Sequence, residues 1–173
     1  MEKRRPGCMG MSSMLGGNRT FCPPLQWLMD EHRDLNERMN QCTAWAEEWK
    51  QATESEACER SFELNDLVSS FQMALAVHSK REEDWLFPML AGHIGREMGP
   101  IAVMEYEHEM AKDHLQLCRQ TYETNMDDAL NHLLVSFEIL NQHFFKEENV
   151  LFPMAQQLLS EAEKEQLLEM FRS

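Results

Sequence analysis

Four stretches of the chain space their apolar residues by threes and fours. The first takes in Leu25, Leu28, Met29, His32, Leu35, Met39, Cys42 and Ala46; the second runs through Leu64, Leu67, Val68, Phe71, Leu75, His78, Glu82, Trp85, Leu86 and Met89. Ile101, Met104, Glu105, His108, Ala111, Lys112, Leu115, Cys118 and Tyr122 form the third, and Leu130, Leu133, Phe137, Leu140, His143, Glu147, Leu151 and Met154 the fourth. Such spacing marks one buried face of an amphipathic helix. No stretch reads as a strand. The polar stretch KQATESEACERS and the glycine-rich AGHIGREMGP separate neighbouring runs. Four helices, each about 35–40 Å long at 1.5 Å rise per residue, joined by short breaks, predict an all-α, up-down-up-down four-helix bundle over residues 25–155. Ser160 to Glu163 has the form of a capping box, which predicts a short C-terminal helix within 156–173, packed on the bundle. Residues 1–24, rich in Gly, Pro and Ser and without a period, are expected to be an irregular, flexible arm.

The polar residues on these apolar faces change the picture. HSKREEDWLFPM begins at His78, and HFFKEENVLFPM begins at His143, with seven of twelve positions identical. The closing Leu-Phe-Pro-Met is expected to end or kink its helix, because proline interrupts the backbone ladder. Each of the four runs carries one histidine: His32, His78, His108 and His143. Two also carry a glutamate four residues later, Glu82 and Glu147, on the same helix face as the histidine. Chance alone gives about one His-x-x-x-Glu in a chain of this composition, and His93 with Glu97 is such a match, set among glycines. Two matches inside a repeated phrase, with one histidine per helix, are a different matter. An unpaired buried carboxylate costs several kcal/mol, and neutral imidazoles bring no compensating charge. Metal ions do. Four imidazoles and two carboxylates are too many for one tetrahedral zinc. They suit two ions, one on His32 and His78, the other on His108 and His143, with Glu82 and Glu147 bridging; iron suits this donor set best.

Composition narrows the setting. The 173 residues suit one domain, and the net charge of −14 argues against a nucleic-acid surface. No stretch is apolar enough to span a membrane. The basic N-terminus lacks an apolar core for a secretory signal, so a cytoplasmic protein is expected. Five widely spaced cysteines form neither a disulfide framework nor a zinc motif. Cys42 and Cys118 fall on core positions; Cys8 and Cys22 lie in the arm, where redox activity is a secondary reading.

The sequence resembles the hemerythrin-like, or HHE cation-binding, family. Glu31-His32, HSKRE, Glu107-His108 and HFFKE carry the likeness, over roughly residues 25–155. It implies a non-haem di-iron centre, oxo- or hydroxo-bridged, held by His32, His78, Glu82, His108, His143 and Glu147. Family members bind or sense dioxygen, respond to nitric oxide, repair iron–sulfur centres or sense iron. The family's oxygen carriers have a second histidine one turn after the third-helix histidine, and their second bridge lies five residues after its histidine. Here Lys112 fills the first position, and the repeat favours a spacing of four, with Glu148 as reserve. The chain therefore looks closer to the iron–sulfur repair and iron-sensing branches. Lys112 either snorkels to solvent or faces the iron pocket. Glu105, one turn before His108, is read as an added ligand or as an outer hydrogen-bond partner. Glu31 and Glu107 are expected to be solvated or in that outer role. His114 and His132 lie off the metal layer.

Three functions are expected to compete. The first is a di-iron protein that binds or reduces oxygen, peroxide or nitric oxide, with a redox partner, in stress response or iron–sulfur repair. The second is an iron-handling or sensing module without turnover. The third is a helical interaction domain without metal, for which leucine at His78 or Glu147 would stabilise the fold. Oligomeric state is not readable from the sequence.

Overall fold

The computed structural model describes residues 20–173, with the backbone alone for residues 54–61. Most of the expected N-terminal arm, including Cys8, lies outside the described residues. Its last residues belong to the fold: Phe21 packs edge-on against Phe152, and the Cys22 backbone N–H donates to Gln156 Oε1 at 2.8 Å. Pro23 then opens the first helix, where a missing N–H costs nothing.

Four long rods run up-down-up-down, as expected, and no described residue is in a strand. The first is α1 (Pro23–Gln51). The second is α2 (Glu54–Arg81), a π turn at Glu82–Leu86 and α3 (Phe87–Ile94). α4 (Pro100–Thr121) is the third. The fourth is α5 (Met126–Lys146), a π turn at Glu147–Leu151 and α6 (Phe152–Leu158). α1 packs on α2 and α5, while α4 packs on the other sides of the same two helices. Most of the polar stretch after α1 is helical, leaving Ala52 and Thr53 as the connection. The α3–α4 connection needs its glycines, since Gly95 and Gly99 have φ of 80° and 116°. The expected capping box is present: Ser160 caps α7 (Glu161–Arg172) and Glu163 reaches back to the Ser160 N–H. Leu167 and Phe171 of α7 close one end of the bundle.

The Leu-Phe-Pro-Met phrase does not end its helix, and this corrects the sequence reading. In both copies a single wide turn precedes it, with Phe87 N–H bonded to the Glu82 carbonyl and Phe152 N–H to the Glu147 carbonyl. Having already left the i→i+4 ladder, the chain passes Pro88 and Pro153 and continues as helix. The wide turn also adds a residue to the register. Beyond it the buried positions are Phe87, Leu90, Phe152 and Ala155, while Trp85, Met89 and Met154, read from an unbroken 3.6-residue period, are only half-buried.

Two apolar clusters result. One holds Leu35, Cys42, Phe71, Leu115 and Phe137; the other holds Leu28, Leu86, Met104, Leu151 and Phe171. Along every rod the passage from one to the other crosses His32, His78, His108 or His143. The apolar clusters on both sides fix the polar layer between them. Phe71 is fully buried and Phe62 is 69% exposed on the same helix. Phe71→Ala is expected to cost about 3–5 kcal/mol in urea unfolding, and Phe62→Ala to stay within about 0.5 kcal/mol.

Candidate metal centre

His32, His78, Glu82, His108, His143 and Glu147 are all buried, none more than 1% exposed. They fall into two groups, His32 with His78 and His108 with His143, and both include Glu82 and Glu147. Within each group the four donor atoms lie within 4.8 Å of one another. Every imidazole turns its Nε2 inward. Glu147 divides its oxygens between the groups, with Oε2 at 3.1 Å from His32 and Oε1 at 3.3 Å from His143. Glu82 Oε2 lies between His78 at 3.3 Å and His108 at 3.4 Å. The wide turns begin at these two glutamates, as π turns often do at functional sites.

The outward nitrogens are held by a ring of carboxylates that closes around the bundle. Glu31 of α1 meets His78 Nδ1 at 3.1 Å, and Glu83 meets His108 Nδ1 at 2.7 Å. Glu107 of α4 meets His143 Nδ1 at 3.2 Å, and Glu148 meets His32 Nδ1 at 2.9 Å. Each rod thus supplies one inward histidine and one glutamate for the histidine of the next rod. A carboxylate on Nδ1 fixes the tautomer and leaves Nε2 as the metal-facing donor. Three of the four glutamates also take a cation: Arg81 on Glu31, Lys112 on Glu83 and Lys146 on Glu107. Arg81 and Lys146 occupy matching positions, three residues after His78 and His143.

A metal pair fits what the residues leave undone. Both oxygens of Glu82 and of Glu147, with His108 Nε2 and His143 Nε2, are buried without a hydrogen-bond partner. The imidazole–carboxylate contacts are close but lack hydrogen-bond geometry. Six orphaned donor atoms at the centre of a bundle are costly unless cations satisfy them. Imidazole and carboxylate are the donors that iron, manganese and zinc accept.

The sequence-derived candidates divide accordingly. The six principal residues come together. Glu148, the reserve bridge, turns to His32 Nδ1. Glu105 takes no part in either group, because it lies on the side of α4 that pairs with Arg96 at the surface. Lys112 is 43% exposed and reaches Glu83, so it stands outside the centre. Glu83 was not singled out by sequence reasoning, although a signal for it exists: it is the second glutamate of the repeated phrase, in register with Glu148. His114 and His132 pair with each other at 3.0 Å, away from the centre, and His93 meets Glu163.

Charge in this layer follows from burial set against neighbouring carboxylates. Burial opposes a charged His32, but Glu147 and Glu148 outweigh it and bring its pKa up to about 9. For His143 burial is likewise overcome, by Glu147 and Glu107, giving about 10. The hydrogen bond from His108 draws Glu83 down to about 2, against burial and with help from Lys112. Glu147 lies well below the usual carboxylate range, since His143 and His32 outweigh its burial. In the metal-free chain the raised histidines stabilise the fold fully below their unfolded pKa of about 6.5, and that contribution is lost as pH rises through about 9–10. The lowered Glu147 contributes above about pH 4.5, and its contribution is lost in acid. Metal needs neutral imidazole, so loading at pH 7.5 is expected to release protons from the raised rings, His32 and His143 foremost. Calorimetry in buffers of different ionisation enthalpy measures this; a release of zero would show that both rings were already neutral.

Comparison with known proteins agrees with this geometry. The Hemerythrin HHE cation binding domain family matches residues 24–155. Curated relatives include proteins named iron-sulfur cluster repair protein YtfE from Escherichia coli O1:K1 / APEC and from Escherichia fergusonii. Each is 36% identical over 107 residues, covering 53% of this chain and 46% of the relative. The chain thus spans about half the length of the curated relatives it matches. No solved structure matches it significantly. With the family match spanning most of the chain and the four histidines and two glutamates gathered in its core, the protein belongs to the hemerythrin HHE cation-binding family.

Proposed function

We propose that the protein is a non-haem di-iron protein acting in the repair of iron–sulfur centres, where it binds or reduces a small oxidant: oxygen, peroxide or nitric oxide. The observation that carries this reading is the donor set, two groups of two histidines sharing two glutamates. Four imidazoles and two shared carboxylates leave each ion of such a pair below six protein ligands, so exogenous ligands have positions to take. The apolar clusters on both sides exclude bulk water. Relatives named for iron–sulfur cluster repair support the choice of pathway.

In this reading His32, His78, His108 and His143, with Glu82 and Glu147 shared between the two groups, would hold the ions, and Glu31, Glu83, Glu107 and Glu148 orient the imidazoles. Bound iron would supply redox change and a Lewis acid. The protein's part is to fix the imidazoles, neutralise the ions with two carboxylates and keep the chamber dry. A redox partner would return electrons to the site. The cytoplasm is the proposed setting; Cys42 and Cys118 are buried free thiols, which suits a reducing compartment, and no helix among the described residues is long and apolar enough to cross a membrane.

The test pairs metal content with repair. Chain produced in iron-rich medium is expected to carry about two irons, as a two-ion carboxylate site in a bundle requires. Mixed with a [4Fe–4S] dehydratase inactivated by peroxide or nitric oxide, it is expected to restore activity, while His78→Leu does neither. Full iron loading with no restoration would move the protein to the second reading, iron handling or sensing without turnover. Failure to bind iron anaerobically would contradict both.

A further inference from the structure

The two halves of the centre are related by the repeated phrase, and the relation can be followed ring by ring. Phe152 stacks on His32 at 5.5 Å and 20°, and its counterpart Phe87 stacks on His108 at 5.9 Å and 25°. Glu148 binds His32 from α5's side as Glu83 binds His108 from α2's side. The symmetry fails at the residue that follows each of the phrase's histidines. Phe144, next to His143, lays its ring on His32 at 4.2 Å and 27°. The residue in register with Phe144 is Ser79, next to His78. A phenyl ring stacks on His32, and the position in register with it carries only a hydroxymethyl group.

Ser79 is only 1% exposed, and its hydroxyl has no hydrogen-bond partner. Ser136, also fully buried, behaves differently and donates to the Ala111 carbonyl at 3.0 Å. A buried hydroxyl costs free energy unless something satisfies it. The two halves also differ at the donor atoms. His32 Nε2 and His78 Nε2 close to 3.2 Å of each other, whereas His108 Nε2 and His143 Nε2 have no partner. Outside the second half lies a surface pocket of about 480 Å³ lined by Glu83, Arg96, Glu105, Glu109, Lys112 and Asp113. Glu83, in its wall, is the residue bonded to His108. Phe144 and Phe152 both stack on His32, whereas among the described residues Phe87 is the one phenyl ring stacked on His108.

We propose that the small ligand of this centre binds on the His108–His143 side, in the space that Ser79 leaves where its counterpart is Phe144, and that the Ser79 hydroxyl donates a hydrogen bond to it. This rests on the di-metal reading above and adds to it a side and a donor. The ligand class is a small, linear or diatomic hydrogen-bond acceptor. Ser79 thereby gives the pseudo-symmetric pair two unequal positions: one whose histidine carries two stacked phenyl rings, the other with a single stacked ring and a hydroxyl donor.

Sodium azide is the probe, titrated into oxidised, iron-loaded full-length chain and followed by its charge-transfer absorption and its infrared stretch. Ser79→Ala, which removes the donor and keeps the space, is expected to weaken azide about tenfold and to abolish the shift of the azide stretch on transfer to deuterium oxide. Ser79→Phe, which copies the other half, is expected to stop azide binding, and Phe144→Leu to leave it within twofold, all three with iron content unchanged. Wild-type azide affinity and an unchanged deuterium shift in Ser79→Ala would overturn the proposal, whether or not Ser79→Phe folds. That result, obtained with about two irons bound as the di-metal reading requires, would leave the di-metal reading standing; wild-type chain that takes up no iron would remove both.

Discussion

Two carboxylates buried at the middle of a four-helix bundle are the constraint on which the rest of the structure depends. Glu82 and Glu147 are both fully buried, and no hydrogen bond reaches their four oxygens. Left alone, such a pair repels and pays heavily for lost water. Four imidazoles approach them, but imidazoles compensate only when protonated, and the raised pKa values of His32 and His143 are the metal-free chain's answer to that cost. Two cations would settle the same electrostatics more completely and free the protons. Metal binding would then be coupled to folding in a direct sense, since the layer that loses most without metal is the one joining all four rods.

The outer glutamates extend this argument across the bundle. Each inward-facing Nε2 depends on a carboxylate at Nδ1, and that carboxylate always comes from a neighbouring rod. A shift of one rod against the next would displace a histidine in one place and its partner in another. The centre is thus held by relative helix placement, with Leu35, Phe71 and Leu115 on one side and Leu28, Leu86 and Phe171 on the other keeping the register.

Much of this was legible in the chain. The spacing of apolar residues identified the four rods, and His32, His78, His108 and His143 stood out because each interrupts an apolar face. The grouping of the histidines in twos around Glu82 and Glu147 was legible from the donor count and the helix faces. What escaped notice has physical causes. The wide turns at Glu82 and Glu147 depend on local i→i+5 bonding, which leaves no mark on periodicity except a later shift, so Trp85, Met89 and Met154 were placed one position off the buried face. The outer role of Glu83 was missed, and Glu148 was held as a bridge, because a partner across two helices depends on their mutual rotation. Glu105 sits one turn from His108 in sequence, yet Arg96 holds it at the surface. A helix face read alone does not reveal such a competitor.

The repeat itself has a two-part explanation. His, the first Glu and the basic residue between them recur because two matching rods each supply a histidine and a glutamate to the buried layer and a cation for a neighbour's outer glutamate; the second Glu recurs because each rod also orients the next rod's histidine. The most direct measurement of this account is a crystal structure of the chain loaded with iron. It is expected to show two ions, one on Nε2 of His32 and His78 and the other on Nε2 of His108 and His143, bridged by Glu82 and Glu147, with the four outer glutamates still on Nδ1. A single ion, ligation through Nδ1, or iron bound elsewhere with Glu82 and Glu147 uncoordinated would contradict it.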